Sequence, residues 1–242
     1  MKKIIQVFII VLLIGIMLMS SVLLLKDTME NKEQEEIFEN LACEIQNNIE
    51  DSTEEGIDYS SIFAQNNDMV AWIKIDNTNI NYPVMQTKEN PDYYLRRNFY
   101  KEYSYYGTPY IEESCDINTS DNIVIYGHHI KNNKMFGELE NYKNKNYYEE
   151  HKIIDFITKE DNSKYEIIAV LKTVVYSDKG FKYYEYINIQ DEKEFNTFIN
   201  KCKELSFYDT GVSSNYGDKL ITLSTCEYSN QNGRLVIVAR KI

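Results

Sequence analysis

Leu220-Ile221-Thr222-Leu223-Ser224-Thr225-Cys226 and, eight residues past the cysteine, Arg234-Leu235-Val236-Ile237-Val238-Ala239 are two β-type runs that flank a short polar loop, Glu227 to Gly233. The loop holds Asn232-Gly233, a pair that favours the left-handed backbone of a hairpin turn. Antiparallel pairing of the two runs brings Cys226, at the end of one strand, to Arg234, at the start of the next. A thiol then lies beside a permanent cation, which can favour a thiolate or hold a developing oxyanion.

Such a pair needs a group that moves protons. The chain has three histidines, His128, His129 and His151. Two of them close the run Ile123-Val124-Ile125-Tyr126-Gly127-His128-His129, a buried-strand pattern ending in a glycine where the backbone can turn. Taken singly, each residue has an ordinary reading: Cys226 a small core residue, Arg234 a surface charge, His128 a loop residue. A thiol, an imidazole and a guanidinium, each at a strand end, point instead to one site.

Working outward, short strands follow one another quickly. The pattern predicts strands at 71–75, 79–84, 110–111, 123–126, 153–158 and 165–175, besides the two C-terminal runs. Glu160-Asp161-Asn162-Ser163 reads as the turn of a hairpin. A short helix is expected around Ile62-Phe63, and one or two short polar helices over 136–150. Residues 191–205 read as an amphipathic helix, with Phe195, Phe198, Ile199, Cys202 and Leu205 on one face and Asp191 as its N-cap. About eight short strands with few helices imply a mainly β protein, a closed or nearly closed barrel.

Before the barrel, Ile4 to Leu25 is an apolar run of 22 residues. At 1.5 Å per residue it spans about 33 Å, the thickness of a bilayer core. Lys2 and Lys3 precede it, and the positive-inside rule puts the N-terminus in the cytoplasm and the remainder outside. A cleaved signal peptide is the competing reading, but the run is long for one and no Ala-x-Ala site closes it. The expected division is therefore 1–26 tip and transmembrane anchor, 27–58 acidic linker and 59–242 barrel. Within the linker, Ile37, Leu41, Ile45 and Ile49 with Phe38 form a narrow apolar stripe, which suits a helix docked on the barrel, a stalk or a tether; Glu54-Glu55-Gly56 is expected to end it.

The net charge of −12 argues against nonspecific nucleic-acid binding. Four cysteines without a Cys-x-x-Cys pair argue against a structural zinc site, and neither metal nor cofactor is expected. Cys43, Cys115 and Cys202 read as buried or incidental thiols, with a disulfide among them left open; Cys226 must be free.

Thr-Leu-Ser-Thr-Cys at 222–226, Gly-Arg-Leu-Val-Ile-Val-Ala-Arg at 233–240 and Ile-Tyr-Gly-His-His at 125–129 resemble the active-site segments of sortases, class B in particular. Residues 66–75 and 78–84 resemble the start of a class B barrel, and the helix at 191–205, between the sixth and seventh strands, resembles the class B insertion. The resemblance covers about 59–242. It implies the sortase barrel, Cys226 as nucleophile, His128 as proton-transfer residue and Arg234 as the donor to the substrate carbonyl or oxyanion. His129 has no implied catalytic role. It further implies acyl transfer: cleavage of a C-terminal sorting signal, of the Asn-Pro-Gln-Thr-Asn or Ser/Asn-Pro-x-Thr-Gly kind, through a thioacyl intermediate. The acylated surface protein then passes to the amine of a peptidoglycan precursor. Tyr126 and Ser224, each one strand repeat before a catalytic group, are candidate substrate contacts. By similarity to class B groove positions, so are Leu95 and Tyr184. Three alternatives stand beside this: a membrane-anchored cysteine protease with water as acceptor, a non-catalytic surface binding barrel, and a pilus-polymerising sortase, which the absence of an evident lid weakens.

Overall fold

A computed structural model of the chain describes residues 2–51, 59–131, 133–176 and 180–242. Eight strands close into a barrel: β1 (Met69–Lys74), β2 (Asn81–Met85), β3 (Tyr110–Ile111), β4 (Asn122–Tyr126), β7 (Ile153–Ile157), β8 (Asn162–Val174), β9 (Leu220–Glu227) and β10 (Gly233–Lys241). Around the barrel the order is β1-β2-β3-β4-β9-β10-β8-β7. Hairpin neighbours pair antiparallel, as alternating patterns joined by short turns dictate. Two contacts are parallel, β2 with β3 and β4 with β9. The expected strands lie within a few residues of those observed. A two-stranded ribbon, β5 (His129–Ile130) with β6 (Lys134–Met135), was not legible in the pattern.

The wide hydrophobic runs of β8, β9 and β10 are buried on both faces of the sheet. Ile167, Val170, Leu171, Ile221, Leu223, Val236 and Ile237 are fully buried. Helix α4 (Glu192–Leu205) sits between the sixth and seventh barrel strands in the chain and packs on β8 through Phe195, Phe198, Ile199 and Cys202. Asp191 caps it as expected, accepting from the Glu194 amide at 2.8 Å. The segment 136–150 is a 3-10 helix (Phe136–Lys143) followed by α3 (Lys145–Glu150). It is less polar in effect than its composition suggests. Phe136, Leu139 and Tyr142 are buried, and buried Glu138 accepts from the Asn79 amide and the Tyr147 hydroxyl at 2.7 and 2.9 Å.

Upstream, a single helix α1 runs from Lys2 to Asp51. Its Ile4–Lys26 part, with mean hydropathy 3.0 and no residue buried, is long and apolar enough to cross a membrane. The helix continues past Lys26 and docks on the barrel. The docked face is Gln34, Phe38, Leu41 and Ile45, spaced four, three and four residues apart, with Ile37 only partly covered. Phe38, Leu41 and Ile45 of the expected stripe are thus buried, while Ile37 lies at its edge, because a step of four residues at 3.6 per turn rotates by about 40°. Phe38 meets Tyr82 edge-on at 5.0 Å, Ser104 donates to Gln34 at 2.8 Å, and Lys134 pairs with Glu35. Gln65, at the end of α2 (Ser60–Gln65), reaches Glu44 at 2.9 Å. The Ile49 side chain and the expected helix end at Glu54-Glu55-Gly56 lie outside the described residues. All four cysteines are free. Burial pushes the Cys115 thiol up to about 12 and raises that of Cys202 as well.

Candidate active site

The site is built by two ladders that share β9. In the antiparallel ladder with β10, Cys226 stands directly opposite Arg234. In the parallel ladder with β4, Ser224 is level with Tyr126, and two residues further along both strands lie Cys226 and His128. The ladder is continued past the end of β4 by the Gly127 amide donating to Ser224 O at 3.1 Å and by Thr225 Oγ1 donating to Gly127 O at 2.8 Å. Gly127 packs flat on the Phe136 ring, where a Cβ would come within 2.5 Å of ring carbons. The missing side chain is what lets the chain pass this close to the ring just before His128. Cys226 thus lies at the end of the strand between β4 and β10, level with Arg234, and both line the same cleft as His128.

These ends open into a cleft of about 340 Å³, whose walls include all seven residues singled out from sequence: Cys226, His128, Arg234, Tyr126, Ser224, Leu95 and Tyr184. A cavity of similar size, about 360 Å³, lies between α1 and the barrel, but its walls hold no cysteine, histidine or arginine. Cys226 and His128 are partly exposed, as attack on a bound peptide requires. Ser224 is 1% exposed, and its Oγ lies 2.5 Å from the Tyr183 hydroxyl. It therefore belongs to the cleft wall as half of a hydroxyl pair, more than as an open contact.

The electrostatics divide the cleft. Arg234 Nη1 donates to Gly233 O at 3.0 Å, which orients a fork with five N–H donors in all. His128 Nε2 lies 2.7 Å from Leu95 O. Burial lowers the His128 pKa from its ordinary 6.5; the Leu95 carbonyl pulls it back up and the Arg96 charge pushes it down. The far wall is acidic, a feature that neither motif nor periodicity announced: Asp92, Glu112 and Glu113 face the cleft. Tyr110 donates to Asp92 at 2.5 Å, and burial pushes the Glu112 carboxyl up.

His129 points elsewhere. Its Nδ1 lies 2.9 Å from the backbone carbonyl of Cys226, and its ring meets Tyr228 edge-on at 5.0 Å. It braces the strand that carries the thiol. Among the described residues no group of three or more His, Cys, Asp or Glu side chains is arranged to hold a metal ion.

Comparison with known proteins agrees with this architecture. The sortase domain model matches residues 73–242. Sortase B of Staphylococcus aureus is 33% identical over 187 residues, covering 76% of this chain and 74% of the relative. Sortase B of Listeria monocytogenes is 34% identical over 184 residues, covering 73% and 71%. The solved Staphylococcus aureus sortase B-substrate complex superposes with a TM-score of 0.79 at 31% identity, over 88% of this chain and 98% of that one. Barrel order, the strand-end junction and these likenesses converge: the chain belongs to the sortase family, in class B, and is a cysteine transpeptidase.

Proposed function

We propose that this transpeptidase is held in the cell membrane by α1, N-terminus inside and barrel outside, and joins surface proteins to the cell wall. In this reading Cys226 attacks the backbone carbonyl within a C-terminal sorting signal. The sulfur–carbon bond forms, the carbon–nitrogen bond breaks, and His128 delivers a proton to the departing amine. Arg234 holds the carbonyl oxygen as it becomes an oxyanion; a guanidinium suits this because it never gives up its proton. A peptidoglycan amine then attacks the thioacyl carbon and releases Cys226. Tyr126, Leu95 and Tyr184 line the groove that seats the signal, and the Ser224–Tyr183 pair shapes its floor. The chain divides into 1–26 anchor, 27–58 linker and 59–242 catalytic barrel.

The observation that carries this reading is the junction of two ladders on β9: Cys226 is level with Arg234 on β10, Ser224 is level with Tyr126 on β4, and Cys226, His128 and Arg234 line one cleft. The test supplies a sorting-signal peptide with and without an amine acceptor. Amine-dependent formation of a joined product supports the reading. Hydrolysis indifferent to added amine would make the chain a protease, and a Cys226 inert to thiol reagents would make it a binding barrel.

A further inference from the structure

His128 is gripped from behind by a segment that no motif marked. After Asp92, which takes a left-handed φ of 60°, the chain makes one 3-10 turn, Tyr93–Arg96. The carbonyl at its end, Leu95 O, lies 2.7 Å from His128 Nε2. A carbonyl only accepts, so Nε2 carries the hydrogen, and in the neutral ring the lone pair is on Nδ1.

That carbonyl is held firmly. Tyr94 is fully buried; its hydroxyl donates to Asp68 and accepts from Asn66, both at 2.9 Å. Tyr94 O accepts from the Thr108 amide at 3.0 Å. Gly107, at φ +61°, lies so close that a Cβ there would stand 2.6 Å from both Leu95 O and Tyr94 O. The ring is held as well. Tyr105 lies parallel to His128 within 4°, centroids 6.5 Å apart. Arg96 fixes Tyr105, with Nη1 donating to its carbonyl at 2.9 Å and the guanidinium 4.7 Å over its ring.

We propose that Tyr93–Gly107 is the positioning element of His128: Leu95 O fixes the Nε2–H tautomer, so that Nδ1 is the nitrogen that exchanges protons with Cys226 and the departing amine. The backbone carbonyl does what a carboxylate does in a Ser-His-Asp arrangement, orienting the ring and selecting its tautomer. Proton balance is simple. The Cys226 thiol proton passes to Nδ1, giving a thiolate and an imidazolium whose Nε2–H stays on Leu95 O. The Nδ1 proton then goes to the amine as the carbon–nitrogen bond breaks. Gly107, Tyr105 and Arg96 are positioning residues in this scheme and touch no reacting atom. The proposal rests on the reading of His128 as the proton-transfer residue.

The test uses the full-length chain in detergent with nitrogen-15 in its three histidines, His128 being assigned by its loss in His128→Gln. Above its titration, His128 should show a protonated Nε2 and a bare Nδ1. Gly107→Ala should erase that tautomer preference and lower kcat at least about tenfold with KM little changed. Arg96→Gln removes the charge that lowers His128, so the His128 midpoint and the acid limb of kcat/KM should rise together. Cys226, Arg234, Asp92, Glu112 and Glu113, which line the same cleft, are untouched by that change, whereas Tyr105 loses the guanidinium over its ring. A bare Nε2 in the wild-type protein overturns the proposal, and so does an unmoved midpoint in Arg96→Gln. If Gly107→Ala does not fold, those two readouts decide alone. Full activity in His128→Ala would sink the functional reading instead, while the tautomer measurement would still stand.

Discussion

The hydroxyls of Tyr183 and Ser224 meet at 2.5 Å behind the cleft, tying the segment between β8 and β9 to the strand that carries Cys226. Tyr183 is 1% exposed, and burial pushes its hydroxyl up to about 12, so it stays protonated at any working pH. Because both groups are buried, removing one leaves the other without its partner. Tyr183→Phe should lower stability by about 1–2 kcal/mol and raise KM a few-fold. Adding Ser224→Ala should recover much of the loss, since a pair removed together leaves no orphan. Thermal unfolding and steady-state kinetics of the single and double variants check this.

Cys226→Ala should abolish turnover. His128→Ala and Arg234→Ala should each lower kcat at least about a hundredfold, the usual cost of losing a proton donor or an oxyanion donor. His129→Ala should cost less than about tenfold, because His129 contacts the Cys226 carbonyl and not the sulfur. Single-turnover rates with a sorting-signal peptide rank the four. Near wild-type rates in Arg234→Ala would contradict its assigned role.

Glu227, next to the nucleophile, is 5% exposed. Burial alone would raise its pKa. Lys143 Nζ at 2.9 Å and Ser229, whose hydroxyl and amide donate at 2.7 and 3.1 Å, overcome that and hold it at about 2. A carboxylate depressed in the folded state contributes stability above its unfolded pKa, ordinarily about 4.5, and the contribution is lost as pH falls toward about 2. The wild-type protein should therefore lose stability through that window, and Glu227→Gln should lose less there. At pH 7 the same substitution should cost about 1–3 kcal/mol. Denaturant unfolding across pH 2–7 measures both.

The docked half of α1 gives a packing prediction. Leu41 is 1% and Phe38 5% exposed. Replacing either with Ala should lower stability by about 2–4 kcal/mol while kcat changes little, since the cleft is built by other elements. Thermal unfolding of the full chain, with turnover measured alongside, separates the two effects.

Much of this was legible in the residues, for physical reasons. Alternating β-branched runs announce strands, Asn232-Gly233 announces the hairpin, and together they put Arg234 opposite Cys226. The rest depends on contacts without a local signature. The parallel pairing of β4 with β9 joins segments about a hundred residues apart, and only chemistry and the family resemblance suggested that His128 would line the same cleft as the thiol. Leu95 was singled out as a groove position, but its contact with His128 is through the carbonyl, and a backbone oxygen has no letter of its own. The segment 136–150 read as polar because a sequence does not show that an amide and a tyrosine hydroxyl await Glu138 inside. The stripe on α1 was seen in Phe38, Leu41 and Ile45, but buried Gln34 was not, because its partner Ser104 is far along the chain.

The central claim is an acyl group on one sulfur, and mass spectrometry of the protein quenched during turnover of a sorting-signal peptide tests it most directly. Cys115 and Cys202 are buried, and Cys43 lies on α1, outside the cleft. The account predicts an adduct on Cys226 alone, with the mass of the peptide's N-terminal fragment less water, that disappears faster when an amine acceptor is added. Turnover with no such adduct, or with the acyl group mapped to another residue, would contradict it.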